Sequence, residues 1–234
     1  MRLNHRVFSF LYLIVLCLGG SVIFAQSPKP DAPLVVGSRR ELFVDRYLID
    51  RLANVRLQLH EPRDEGAVIK LDHKWEGPHS GYSTVIRDGD LFRMYYRGIS
   101  QPGPDGNENE RTCYAESHDG IHWTKPDLGI FEFEGSRANN IVLQKAAPIT
   151  HNFSPFLDSR PGVPADERYK AVGGTGHELF ALISSDGLHW KKLQDKPILS
   201  SANVPFRHNH LFDSQNLVFW SEQEQCYLCY FRVW

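Results

Sequence analysis

The chain has 234 residues, 26 Lys and Arg against 28 Asp and Glu, a formal charge of −2 and 12% aromatic residues. With charge so balanced and no basic stripe or block of like charges, nucleic acid and anionic membrane surfaces are poor partners. Four cysteines, Cys17, Cys113, Cys226 and Cys229, are too few and too scattered for a disulfide scaffold.

The first 25 residues read as a secretory signal peptide: a basic end (Arg2, His5, Arg6), an apolar run Val7 to Leu18, then small residues and a cleavage point after Ala25. The apolar run is shorter than the ~20 residues a spanning helix needs, so no membrane attachment is expected after cleavage, and the mature protein is expected to be secreted or periplasmic. Val15-Leu16-Cys17 lacks the small residue that precedes a lipid-modified cysteine. Cleavage removes two basic residues and no acidic ones, which moves the formal charge from −2 to −4. Residues 26–40, with Pro28 and Pro30, read as a leader, and residues 41–234 as one β domain. Within it, Phe43 to Leu52 suggests a strand plus a turn.

From there the chain repeats. Ser117-His118-Asp119-Gly120-Ile121-His122-Trp123 returns, 67 residues on, as Ser184-Ser185-Asp186-Gly187-Leu188-His189-Trp190. Asp-Gly is a tight-turn pair, because Asp bonds nearby backbone and Gly accepts positive φ. Each turn follows a strand-like run, and a Trp plugs the returning strand, so both Trp123 and Trp190 are expected to be largely buried. Upstream, His79 to Ile86 followed by Leu91 to Gly98 has its counterpart in His151 to Leu157 followed by Arg168 to Gly174. A third copy begins with His210 to Trp220 and continues with Cys226 to Arg232. Four short aromatic or β-branched strands per unit is the content of a propeller blade. The expected fold is therefore all-β, a propeller with about three blades present: blade 1 about 79–145, blade 2 about 151–205 and the start of blade 3 about 210–234. Three blades do not close a ring, and the chain stops within a strand-like run, so it is expected to be the N-terminal part of a longer propeller. Cys226-x-x-Cys229 lies in such a strand, where its two thiols point to opposite faces, against a zinc or redox pair.

The Ser-x-Asp-Gly-x-x-Trp turns, the strand Arg93-Met94-Tyr95-Tyr96-Arg97-Gly98 and the run Phe212-Asp213-Ser214-Gln215-Asn216 together resemble the five-bladed β-propeller glycosidases. These are the invertase, levansucrase, arabinanase and mannoside-phosphorylase group (glycoside hydrolase families 32 and 43 and their relatives). Glu41 to Asp50 and Trp75 to Tyr82 resemble more closely the exported, uncharacterised relatives found in planctomycetes. The resemblance spans about residues 40 to 234. It implies an extracytoplasmic carbohydrate-active protein, glycosidase-like if the propeller is complete, taking a carbohydrate as substrate or ligand. The alternatives are a non-catalytic propeller that binds sugar or protein, and an inactive fragment.

In that family, catalytic carboxylates sit near the start of successive innermost strands, one as acid and one as base or nucleophile. Carried over, the resemblance offers Asp213 as the catalytic carboxylate. His79-Ser80-Gly81 stands where the family places an Asp, and His151-Asn152 brings no carboxylate. Asp213, His79, His151 and Asn152 are expected to converge on one axial funnel, with Asp213 its only carboxylate. Gln215, Asn216 and Arg97 join His79, His151 and Asn152 as candidate substrate-binding residues. His79, His151 and His210 are read as matching positions. Glu116 and Glu178 are further candidate acids, and Trp75, Tyr95 and Tyr96 candidate sugar-stacking aromatics. His208-Asn209-His210 puts two imidazoles on one strand face without further ligands nearby, so no metal and no cofactor is expected. The loop Ser100 to Arg111 is long enough to be functional.

Overall fold

A computed structural model describes residues 35–37, 41–202, 204 and 211–233. The signal peptide, most of the leader and His208 to His210 lie outside the described residues. Contacts divide the chain at Pro62. In the first part, the described residues 41–62 contain no strand. The strand expected between Phe43 and Leu52 is replaced by turns, with Tyr47 N–H donating to Asp45 Oδ1 (2.8 Å) and Ile49 N–H to the Arg46 carbonyl (3.1 Å). Among the described residues no strand pairs with it, and a lone strand is not stable in water.

The second part is all-β. Its one described helix is a three-residue 3-10 turn, Ala165–Glu167. The first sheet is a meander of four antiparallel strands, β1 (Gly81–Asp88), β2 (Leu91–Ile99), β3 (Glu110–Ser117) and β4 (Ile141–Gln144). The second holds β5 (Ser154–Leu157), β6 (Tyr169–Gly173), β7 (Glu178–Ser184) and β8 (Lys191–Lys192), with β9 (Leu199–Ser200) also pairing β7. The third is the hairpin β10 (Leu217–Ser221) and β11 (Cys226–Tyr230). The first strands of the three sheets are neighbours, since β5 contacts β1 on one side and β10 on the other.

Period-2 alternation explains the core. Tyr95 faces a cluster with Tyr114, Phe153, Ala171 and Leu182 that joins the first two sheets. Met94 and Tyr96, on the opposite face of β2, pack with Cys113, Ile141, Trp75 and Trp123. A third cluster, Val172, Leu179, Leu211 and Phe212 with Val218 and Phe231, joins the second and third sheets. β3 is buried on both faces, as the inner strand of its sheet must be.

The two Asp-Gly turns are bonded alike, and the bonding explains each residue of the motif. Ser117 Oγ accepts from Gly120 N–H and Ser184 Oγ from Gly187 N–H, both at 2.9 Å. Asp119 Oδ1 accepts from the N–H groups of Ile121 and His122, and Asp186 Oδ1 from those of Leu188 and His189, all at 2.8 Å. His122 Nδ1 and His189 Nδ1 close on the second carboxylate oxygen at 2.6 and 2.7 Å. Gly120 and Gly187 take φ of 76° and 78°, which a side chain would resist. Trp123 and Trp190 each donate the indole N–H to the carbonyl of that glycine (2.9 and 3.1 Å). Both Trp are partly buried and pack against the core, Trp190 on the cluster around Tyr95 and Trp123 on that around Tyr96.

Strand register reveals a second repeat. Phe92 lies opposite Ser117 and Tyr169 opposite Ser184, while Arg87 pairs Phe92 and Leu157 pairs Tyr169. Asp88 and Asp158 are therefore equivalent. Each takes a phenol from the next sheet: Asp88 from Tyr169, and Asp158 from Tyr227 (2.6 Å). Each also faces a base of its own sheet, Arg93 Nε at 3.3 Å and Lys170 Nζ at 2.9 Å. Burial pushes against ionisation of Asp158, but the Tyr227 and Lys170 bonds prevail and hold its carboxyl below the usual range. Burial, then the bond to Asp88, raises the Tyr169 phenol to about 12. The same contact thus locks the first sheet to the second and the second to the third.

Candidate functional site

The residue carrying most of the site is Arg97, late in β2. Its Nη1 donates to Asn152 Oδ1 at 3.0 Å and lies 3.3 Å from His151 Nδ1. The guanidinium also sits over the Tyr82 ring, 4.6 Å from its centroid. His151 and Asn152 immediately precede β5 and are each 1% exposed. His151 Nδ1 in turn meets the Glu110 carboxylate at 2.9 and 3.0 Å, and Glu110, the first residue of β3, is likewise 1% exposed. Gly106 N–H, from the loop between β2 and β3, donates to Glu110 Oε1 at 2.8 Å. A Cβ at Gly106 would lie 2.7 Å from Thr175 Cγ2, so the loop is seated closely there.

These bonds assign the protons. Arginine only donates, so Asn152 presents Oδ1 to Arg97 and keeps its amide Nδ2 as a donor. His151 Nδ1 meets the Glu110 carboxylate on one side and the N–H groups of Arg97 (3.3 Å) and Gly106 (3.2 Å) on the other, so it is fully engaged within this network, and Nε2 is the ring nitrogen left over for another partner. His151 Nε2 and Asn152 Nδ2 are both buried without a partner, as are Arg97 Nε, Thr112 Oγ1 and Thr150 Oγ1 close by in strand pairing or sequence. A buried unpaired donor or acceptor costs about 1–3 kcal/mol. A group that both donates and accepts, such as a hydroxyl, suits this set.

The third sheet reaches the same end of the fold. Gln215, ahead of β10, donates its Nε2 to Thr84 Oγ1 on β1. Asp213 is held by Arg232 through two bonds, Nε to Oδ1 (2.8 Å) and Nη2 to Oδ2 (2.7 Å). The Asp213 bonds, and more weakly the Tyr82 phenol nearby, raise the pKa of Arg232. Tyr82 thus stands between Arg97 and Arg232.

Among the expected residues, the structure brings Arg97, His151 and Asn152 together, places Gln215 against β1, and ties Asp213 to Arg232. His79 is exposed, and Asn216 is buried, with its amide on the carbonyls of Phe212 and Ser214 (3.2 and 3.1 Å). The reading of His79 and His151 as matching positions is corrected by register, because counting back from Arg87 and Leu157 equates His151 with Gly81. Glu116 accepts from the Tyr114 phenol (3.0 Å), and Glu178 is exposed at the start of β7. Trp75, Tyr95 and Tyr96 are committed elsewhere: Tyr96 donates to buried Glu76, Trp75 Nε1 to Asn140 (2.6 Å), and Tyr95 to the Gly187 carbonyl (3.0 Å). Asp213 is not the sole carboxylate near the first-strand ends, since Glu110 and Asp105 accompany His151. Their only sequence signal is the long loop they share.

Ligand atoms of Asp105, Glu110 and His151 lie within 4.8 Å of one another, a spacing a cation accepts. However, the Arg97 guanidinium beside His151 Nδ1 and the Gly106 N–H on Glu110 already supply positive groups to those atoms. Glu110 and His151 form a hydrogen-bonded pair, with its charge balanced by arginine. Cys226 is exposed and Cys229 partly buried, burial raising the Cys229 thiol to about 11, and neither forms a disulfide.

No protein-family model matches the chain. Two uncharacterized proteins from two strains of Mycobacterium tuberculosis are each 29% identical over 128 residues, 54% of this chain and 38% of theirs. The chain thus spans well under half the length of the curated relatives it matches. Solved structures with some likeness include a glycosyl hydrolase from Bacteroides ovatus (TM-score 0.37, 19% identity, 62% of this chain and 39% of that one). Another is a structure described under the GH130 family of mannoside phosphorylases, said to contain glycoside hydrolases that target beta-1,2 mannosidic linkages in Candida mannan (TM-score 0.39, 18% identity, 64% and 41%). A third is an endo-1,4-beta-xylanase from Bacteroides thetaiotaomicron (TM-score 0.36, 16% identity, 55% and 44%). TM-scores this low establish neither a shared fold nor a shared activity.

Proposed function

We propose that this chain belongs to an exported, glycosidase-like β-propeller protein that binds carbohydrate where its first strands converge. The observation that carries the reading is the network of Arg97, Asn152, His151 and Glu110, with an unpaired amide donor on Asn152 and an unpaired ring nitrogen on His151. A sugar hydroxyl donates and accepts, so sugar hydroxyls can serve the Asn152 amide and His151 Nε2 at once, in either tautomer of the imidazole. The sequence resemblance to propeller glycosidases supports the same ligand class. Recognition is favoured over turnover by the state of the carboxylates. Glycoside hydrolysis needs one carboxyl group to give a proton to the leaving oxygen and a second to act on water or carbon. Glu110 is buried and spent on His151 and Gly106, and Asp213 is spent on Arg232.

A glycan array of neutral and acidic oligosaccharides tests the reading. Binding of at least one glycan class is expected, weakened tenfold or more in His151→Ala and retained in a distant surface variant such as Lys191→Ala. An array without binders, or unchanged binding by His151→Ala, would overturn it.

A further inference from the structure

Tyr82 and Asn152 occupy the same place in two successive sheets. Arg87 and Leu157 are equivalent by register, and five residues back along β1 and β5 lie Tyr82 and Asn152. Both hold φ at 51°, in the left-handed region. Asparagine tolerates that conformation, but for a bulky side chain it is an outlier that persists only where the surroundings enforce it, and such residues gather at ligand sites. Both also contact the same arginine, Asn152 through its carbonyl oxygen and Tyr82 through its ring. The strained conformation leaves Tyr82 40% exposed, with part of its ring open to solvent. It keeps the ring against Arg97, whose guanidinium also holds Asn152 and borders His151, and keeps the phenol close to Arg232.

We propose that Tyr82 is the stacking platform of the site, receiving the apolar face of a sugar ring while hydroxyls of that ring engage Asn152 and His151. This rests on the carbohydrate reading above and adds the cyclic form of the sugar as a requirement. Arg97 over the ring fixes the tilt of the phenol, and the left-handed backbone directs it away from the sheet. A ring ligand gains both the stack and the hydrogen bonds, whereas an acyclic polyol with the same hydroxyls gains only the bonds.

Saturation-transfer NMR on the full chain with methyl glycosides of glucose, galactose, mannose and xylose, against sorbitol and mannitol, tests this. At least one glycoside is expected to bind in preference to both polyols. Tyr82→Ala should weaken that binding roughly tenfold, the scale of one aromatic stack, and Tyr82→Phe should retain it. Tyr82→Gly should bind as poorly as Tyr82→Ala yet melt about 2–4 °C higher, since glycine relieves the backbone without restoring the ring. Equal binding by wild type and Tyr82→Ala, or polyols that bind as well as glycosides, would overturn the stacking role and leave the carbohydrate reading standing. Failure of the wild type to bind any glycoside would overturn both.

Discussion

At the scale of single residues, the Asp-Gly turns show how one carboxylate can organise seven positions. Asp119 serves two backbone N–H groups with one oxygen and the His122 ring with the other. The His122 side-chain bond, aided by those N–H groups, holds the Asp119 carboxyl well below its ordinary range, and the same bond raises the His122 imidazole. The two halves have opposite pH signs. A lowered carboxyl contributes above its unfolded value of about 3.9, and the contribution is lost as pH falls through the folded value; a raised imidazole contributes fully below about 6.5 and loses it as pH rises through the folded value. The pair is therefore at full strength between about pH 4 and 6.5. It is exposed, so its effect on stability is small and the better readout is titration. NMR should place the His122 midpoint above 6.5 in the wild type and lower it towards about 6.5 in Asp119→Ala; an identical midpoint in the two proteins would contradict the bond.

At the scale of elements, what holds sheet to sheet is the aspartate at the end of each first strand. Asp158 has no exposed side-chain surface and faces Lys170 and the Tyr227 phenol. Removing it takes one of two carboxylates from Lys170, Glu167 remaining at 2.9 Å, and leaves the Tyr227 phenol without its acceptor, a loss of about 1–3 kcal/mol. Asp158→Ala is expected to fall in that range by urea denaturation, and Tyr227→Phe to cost about 1.5–3 kcal/mol, the scale of a hydrogen bond to a charged group. Because both act on one contact, the double variant should lose less than the sum of the singles. Additive losses would mean that the phenol and the carboxylate act independently. The left-handed backbone at Tyr82 and Asn152 belongs to this scale as well: it is a property of how a first strand begins, and it aims side chains towards Arg97 from two sheets at once.

At the scale of the whole molecule, the expectation is binding without turnover. Glu110 and Asp213 are each held by other groups, and among the described residues the site brings together no free acid–base pair of the kind glycoside hydrolysis requires. Incubation of the chain with aryl glycosides and with whichever glycan it binds should release no reducing sugar. Release of reducing sugar, above all if abolished by Asp213→Asn or Glu110→Gln, would refute this account of the carboxylates.

The local chemistry was legible in the sequence. Ser, Asp, Gly, His and Trp at fixed spacing define the turn, because each bond in it spans three residues or fewer. Short aromatic and β-branched runs such as Leu91–Ile99, bounded by turn residues, point to an all-β protein. Arg97, His151 and Asn152 could be named as candidates from their places in the repeat. Tertiary structure alone decided the rest. Glu110 becomes part of the site only because the loop after β2 folds back and brings Gly106 onto it. Tyr82 faces Arg97 only because β1 begins in a left-handed conformation. Asp88 and Asp158 proved equivalent only through strand register, since unequal loops shift the repeat in sequence. Contacts between residues tens of positions apart depend on loop paths and register, which side-chain identity along the chain does not encode locally.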